Sequence, residues 1–400
     1  MKTLKKLLKI FVAIIIIITA MIIIEIKYGI VKSKLSFIIN KIAMTIVETE
    51  EYKNEFIETK YKNYKIIHNK EFTPALSMVF AYLDNMELRS YELLGYTPKE
   101  ELTIQIDYDE DVFKARNSIG ISVEDAVGYY NSEIKTIYML AEDPYNDVIM
   151  DNKKIEKLPD GIVFISSTTF SEVLFHEYTH YIFNNFISEN DIDELSIPIW
   201  FQEGISEYIA SANKLSEGDL EFVSLNKLNT INDWIDSCNN ENAEVYIQSM
   251  YAIYSIVNLS DESKLKDIIV NCKEMSFDDS FKMAMGLSLT EFEDNLRNEF
   301  SNYEEMYKSL NNSSYYYEAK IKGLEEYIKA NEDNIRAYQT LSVFYENYIG
   351  FDKALEFLKE SVEKYPDEPN LWRSLAILYE NNDMPELARE CYLKEEKLMQ

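Results

Sequence analysis

Glycine and proline are scarce in this chain, at 10 and 8 of 400 residues, which argues against a turn-rich all-β fold and for mostly helical architecture. Cysteine is scarcer still. Cys238, Cys272 and Cys391 stand far apart without C-x-x-C spacing, so they supply neither a disulfide framework nor a cysteine zinc site, and buried free thiols are expected. Basic residues are outnumbered 70 to 40 by acidic ones, for a formal net charge of −30. No basic patch occurs beyond the N-terminus, so a nucleic-acid partner is not expected. The acidity keeps the protein soluble and disfavours anionic partners. Histidine is as rare as cysteine: there are three in all.

Apolar material is plentiful, at 46% of residues with 13% aromatic. A chain of 400 residues exceeds one ordinary core and suits two folded domains plus an appendage. The appendage stands first, in residues 1–30. Lys2, Lys5, Lys6 and Lys9 precede an apolar run from Ile10 to Ile24 in which only Thr19 is polar. With Leu7 and Leu8 the run reaches about 17–18 residues, the short end of a membrane-spanning helix. A cleaved signal peptide is the rival reading, but the run exits through Glu25-Ile26-Lys27 with no A-x-A-like site. The expectation is an uncleaved single-pass anchor over residues 10–26, with the lysines cytoplasmic and the rest of the chain on the outer side of the cell membrane.

Residues 31–75 read as a charged helical stalk. Ile38-Ile39, Ile42-Ala43 and Ile46-Val47 have helical spacing and Lys/Glu-rich sequence follows, with His68 expected to be solvated. Ala75–Leu94 is a further helix ending at Gly95. The period then changes. Leu102–Ile106 alternates as a half-buried strand does, Gly128–Tyr130 and Thr136–Leu140 form a hairpin, and Gly161–Ser166 is a short apolar strand. Thr168, Thr169 and Ser171 offer N-caps for a helix from about Phe170 to Phe186, after which the chain is helical almost to its end.

Within that last helix, His176-Glu177-Tyr178-Thr179-His180 is an H-E-x-x-H motif. Positions i and i+4 share a helical face, so two imidazoles can approach one ion at about 2.0–2.1 Å. The glutamate between them projects beside the open position of the metal, where it can take a proton from water. A third protein ligand is needed. Phe183 and Phe186 stand where a metzincin would have Gly and His, and no further histidine lies nearby, so Asp, Glu or Cys must serve. The best candidate is Glu203, 23 residues beyond His180 in Pro198-Ile199-Trp200-Phe201-Gln202-Glu203-Gly204-Ile205-Ser206-Glu207-Tyr208. Glu207, one turn on, is placed to accept a hydrogen bond from a ligand histidine and fix its tautomer.

HEYTH followed by P-x-W-F-Q-E-G-x-S-E-Y resembles the peptidase MA-like gluzincins, zinc metallopeptidases with H-E-x-x-H and a W-x-x-E-G-x-A-x-Y segment. The resemblance covers about residues 76–305 and departs at Ser206, where Ala is commoner. It implies one Zn²⁺ held by His176, His180 and Glu203, Glu177 as the general base, Glu207 as the acidic partner behind a ligand, and a peptide or protein substrate lying along the Gly128–Leu140 edge strand. Tyr246 is the candidate donor to the transition-state oxyanion, with Tyr251 and Tyr254 behind it. Downstream, Leu341, Tyr345 and Ala354 recur 34 residues later as Leu375, Tyr379 and Ala388. Tyr338 becomes Trp372, and Leu324 and Ile328 match Leu358 and Val362 in the same register. The period resembles tetratricopeptide repeats over residues 312–400 and implies a helical solenoid that takes a protein partner.

The expected fold is thus α+β and mostly helical: an N-terminal transmembrane helix, a gluzincin-type peptidase domain with a small mixed sheet and active-site helices, and a tetratricopeptide-like α-solenoid. The expected function is extracytoplasmic, zinc-dependent peptide-bond hydrolysis. The alternative is a membrane-tethered scaffold that binds peptides through the repeats and carries a catalytically silent peptidase-like domain.

Overall fold

The structure, a computed structural model, describes residues 55–117, 127–150, 155–157, 163–165, 169–210, 221–240, 244–300 and 314–399. The expected anchor (10–26) and the first part of the stalk lie outside them. Among the described residues no helix is long and apolar enough to cross a membrane. The chain divides into two compact units, residues 1–56 with 109–126 and residues 57–108 with 127–400.

The second unit begins with a correction to the helical stalk. Phe56–Tyr61 and Tyr64–Asn69 are strands, β1 and β2. Their turn places Lys62 at φ 52°. In β2 Tyr64, Ile66 and His68 point inward and Lys65 and Ile67 lie half-buried, a period of two that Lys/Glu-rich surroundings conceal. His68 is therefore buried, with no exposed surface, rather than solvated. Its Nδ1 lies 2.7 Å from the Asn69 carbonyl and its Nε2 2.9 Å from Thr59 Oγ1. Burial lowers its pKa below the ordinary 6.5.

Helix α1 (Leu76–Leu94) follows, ending on Gly95 at φ 63° as a left-handed cap requires. Strand β3 (Leu102–Asp107) then pairs parallel with β2, Ile66 opposite Ile104. Helix α2 (Glu110–Asn117) is the described helix of the first unit. Strands β4 (Gly128–Asn131) and β5 (Thr136–Leu140) form the expected hairpin. β5 runs parallel to β3 and antiparallel to β4, giving a mixed sheet in the order β1-β2-β3-β5-β4 with β4 at its edge. A separate short ribbon joins β6 (Ile155–Lys157) to β7 (Val163–Ile165), inside the expected strand.

Helix α3 (Phe170–Glu189) packs against β4, β5 and α1. Then come α4 (Ile199–Ala210), α5 (Ile231–Cys238), α6 (Val245–Leu259), α7 (Ser263–Asn271), α8 (Phe277–Met285) and α9 (Leu289–Phe300). Trp200, Phe201, Trp234, Phe277 and Phe281 fill the space among them. The fold is mostly helical α+β, as composition and periodicity implied, and its sheet is small and mixed, as expected from the family resemblance.

The C-terminal helices are α10 (Ser314–Ala330), α11 (Ile335–Phe344), α12 (Phe351–Lys364), α13 (Pro369–Asn381) and α14 (Pro385–Leu398). The 34-residue recurrence falls on equivalent buried positions: Leu341 and Leu375, Tyr345 and Tyr379, Ala354 and Ala388. These helices are not a detached domain. α10 lies along α1, and Gly323 makes that approach close, since a Cβ there would stand 2.7 Å from Met78 Sδ. Lys320, fully buried, donates to the Val148 carbonyl at 3.0 Å.

Candidate metal centre

Helix α3 starts where its cap dictates. Of the three candidate caps Thr169 is the one used: Oγ1 accepts from the Glu172 amide at 3.3 Å, and the Glu172 carboxylate accepts from the Thr169 amide at 2.9 Å. The helix is apolar around most of its circumference because the sheet and α4 cover it. His176 and His180, one turn apart, bring their Nε2 atoms to 3.1 Å with the rings edge to face.

Glu203 comes from the first turns of α4. Its Oε2 lies 3.3 Å from His176 Nε2 and 3.6 Å from His180 Nε2. The helix reaches this position because Gly204 lets its backbone press on α6; a Cβ there would stand 2.6 Å from the Ser249 carbonyl oxygen. His176, His180 and Glu203 thus converge as a group able to hold a metal ion. Two ligands about 2.0–2.1 Å from a tetrahedral ion stand ~3.4 Å apart. The three observed separations, 3.1, 3.3 and 3.6 Å, bracket that value.

The rear of each imidazole also faces α4. His176 Nδ1 lies 3.2 Å from Glu207 Oε1, a buried carboxylate that holds the ring with Nε2 turned to the triad. His180 Nδ1 is 3.5 Å from Ser206 Oγ, whose own hydroxyl donates to the Gln202 carbonyl. Ser206 had no functional reading in the sequence, where it counted only as a departure from Ala. The signal was its position, i+3 from Glu203.

Three carboxylates, Glu177, Glu203 and Glu207, surround two imidazoles, so the pocket strongly favours positive charge. Burial works to lower the His176 pKa, but Glu203 and Glu207 override it and hold the ring up to about 10. Burial likewise pushes Glu203 up, and the two histidines outweigh it and hold the carboxyl well below the ordinary range. A proton on His176 and a metal ion compete for this field. For Glu177 burial prevails over the histidines and raises the carboxyl.

The Tyr130 backbone of β4 also acts on the Glu177 carboxylate from the sheet edge and favours its charged form, but burial outweighs it. Leu140 N–H bonds to the Val127 carbonyl, so the alternate residues Gly128 and Tyr130 turn their backbone groups away from β5. Gly128 also sits hard against α3, where a Cβ would meet Val173 Cγ1 at 2.2 Å. The three tyrosines separate in space. Tyr246 lies beside the triad, its ring 6.3 Å from that of His176 and edge-on to Trp234. Burial raises its phenol well above the ordinary value. Tyr251 packs on Phe300 and Tyr254 on Tyr208. All three cysteines are free; Cys272 and Cys391 are buried, and Cys238 is half-buried, its thiol pushed up to about 11 by burial and then by the field of Glu203.

No protein-family profile matches the chain. It is similar to the uncharacterized protein YhcO of Bacillus subtilis (strain 168), with 26% identity over 210 residues, 52% of this chain and 60% of that protein.

Proposed function

We propose that the protein is a zinc-dependent peptidase, tethered to the cell membrane through residues 10–26, with its metal centre on the extracytoplasmic side. The observation that carries this reading is the convergence of His176, His180 and Glu203, with a separate buried carboxylate, Glu177, in their electrostatic field. The donor set, two imidazoles and one carboxylate, is that of zinc hydrolases that keep one position open. When bound, Zn²⁺ supplies Lewis acidity to a water molecule and to the scissile carbonyl. Glu177 orients the attacking water, accepts its proton and delivers it to the leaving nitrogen. Glu207 and Ser206 hold the imidazoles in the tautomers that present Nε2. Tyr246 is assigned as the donor to the oxyanion that develops on the carbonyl.

The test is Glu177→Gln in the full chain. The variant is expected to bind one zinc ion per chain and lose peptide cleavage, while chelation abolishes cleavage by the parent protein. Full activity in the variant refutes the mechanism. A second reading draws on the recurrence in α11–α14: the tetratricopeptide-like array captures a partner protein and the centre is silent. Absence of bound zinc, with partner binding indifferent to chelator, favours that reading.

A further inference from the structure

The helix that supplies Glu203, Glu207 and Ser206 is also held from its far side. Tyr208, next to Glu207, points away from the triad, and its hydroxyl donates to Glu262 Oε1 at 2.7 Å. Glu262 stands at the start of α7, its side chain turned from the helix end, and is gripped by both terminal nitrogens of Arg89 from α1, Nη1 to Oε2 at 2.8 Å and Nη2 to Oε1. Arg89 is only 7% exposed, and its guanidinium lies 5.8 Å from the centre of the Tyr208 ring. Tyr254 of α6 meets the other side of that environment, edge-on to Tyr208 at 4.7 Å. Three helices and the start of a fourth therefore meet at a single phenol.

We propose that Arg89, Glu262 and Tyr208 form a positioning clamp that sets where the Glu203 and Glu207 carboxylates stand relative to the two histidines. This rests on the metal-centre reading above. An ion pair between a nearly buried arginine and a part-exposed carboxylate is a poor device for stability alone, because such pairs contribute little net and apolar residues of similar volume commonly serve as well or better. What a two-pronged guanidinium contact supplies is direction. Here the direction is passed to α4 through one hydroxyl. Glu207 adjoins Tyr208 in the same helix and Glu203 is one turn earlier, so any turn or slide of α4 at Tyr208 moves both carboxylates. The histidine helix α3 is itself packed on α1, the helix that carries Arg89. The clamp thus references the carboxylate helix and the histidine helix to the same support. Side chains that orient metal ligands from outside the coordination sphere typically control affinity by about 10–100-fold. None of the three touches the triad, so they are positioning residues.

The experiment uses the full chain loaded with Co²⁺ or Zn²⁺, and compares Tyr208→Phe, Glu262→Gln and the parent protein. Tyr208→Phe keeps the ring and its packing and removes only the hydroxyl. Affinity is measured by competition with a chelator, and site geometry by the visible absorption of bound Co²⁺. The expected result is an affinity loss of about 10-fold with an altered Co²⁺ spectrum in both variants. Phe281→Leu, a buried change on α8 outside the clamp, is the control for general destabilisation. It is expected to lower the melting temperature and leave the spectrum unchanged. Parent-like affinity and spectrum in Tyr208→Phe overturn the clamp, as does a Phe281→Leu variant that shifts the spectrum equally. Should Glu262→Gln not fold, Tyr208→Phe alone decides. If the parent protein binds no Co²⁺, or binds it equally after His180→Ala, the metal-centre reading fails and the clamp with it.

Discussion

Replacing Gly204 by alanine tests how rigidly the carboxylate helix is seated. The new Cβ would fall 2.6 Å from the Ser249 carbonyl oxygen and 2.9 Å from both the Ser249 carbonyl carbon and Ile253 Cγ1. Two of these atoms are helix backbone, which cannot swing aside as a side-chain end does. Comfortable contact needs roughly 3.5 Å, so α4 and α6 must part by roughly 0.5–1 Å. Overpacking of this kind costs about 1–3 kcal/mol. Alanine recovers up to about 1 kcal/mol through its better helix propensity. The net expectation is a loss of up to about 2 kcal/mol. Glu203 adjoins the altered position, so the metal centre is disturbed too, and affinity is expected to fall about 10-fold. Urea unfolding of the chelated protein measures the first effect, and chelator competition the second. An alanine variant as stable as the parent, with unchanged metal affinity, refutes the argument that this contact seats the helix.

Other outcomes follow from single contacts. Glu207→Ala leaves the His176 Nδ1–H without its carboxylate, so the affinity of the candidate site for a divalent metal should fall about 10–100-fold, which chelator competition reads directly. Thr169→Ala removes the reciprocal cap of the histidine helix and should cost about 1 kcal/mol in chemical denaturation, with most of it restored by Thr169→Ser. Acid destabilisation has a defined sign at His68. The buried ring stays neutral while the unfolded chain takes up a proton near the ordinary value of 6.5. The unfolded state then binds more protons, so stability falls as pH drops below 6.5, by at most about 1.4 kcal/mol per unit. Urea midpoints at neutral and mildly acid pH should differ less in His68→Gln than in the parent; an equal difference would count against a buried neutral ring.

Much of this architecture was legible because it is written in short-range periodicity. The i, i+4 spacing of His176 and His180 specifies a shared helical face whatever surrounds it. Alternation marked β3, two apolar arms about a polar turn marked the β4–β5 hairpin, a capping residue marked the start of α3, and Gly95 marked the end of α1. Glu203 was legible for another reason: an aromatic pair before it and a glycine after it describe a helix that must be approached closely. The recurrence of Leu341, Tyr345 and Ala354 showed which faces of the C-terminal helices are buried, though not that α10 would lie along α1.

The segment 56–69 shows where that legibility ends. Its lysines and glutamates suited an exposed stalk, and only pairing with β3 turns Tyr64, Ile66 and His68 into core residues. The site has the same division. The sequence by itself determined the candidate ligand types, since the histidine spacing and the Glu203 segment each lie within one helix. Tertiary structure decided how they are held: the Tyr130 backbone brought near Glu177, the Ser206 hydroxyl behind His180, and the grip of Arg89 on Glu262, 173 residues away. A backbone amide has no signature in residue type, and a contact between distant helices is set by the angle at which they cross, which no local pattern encodes.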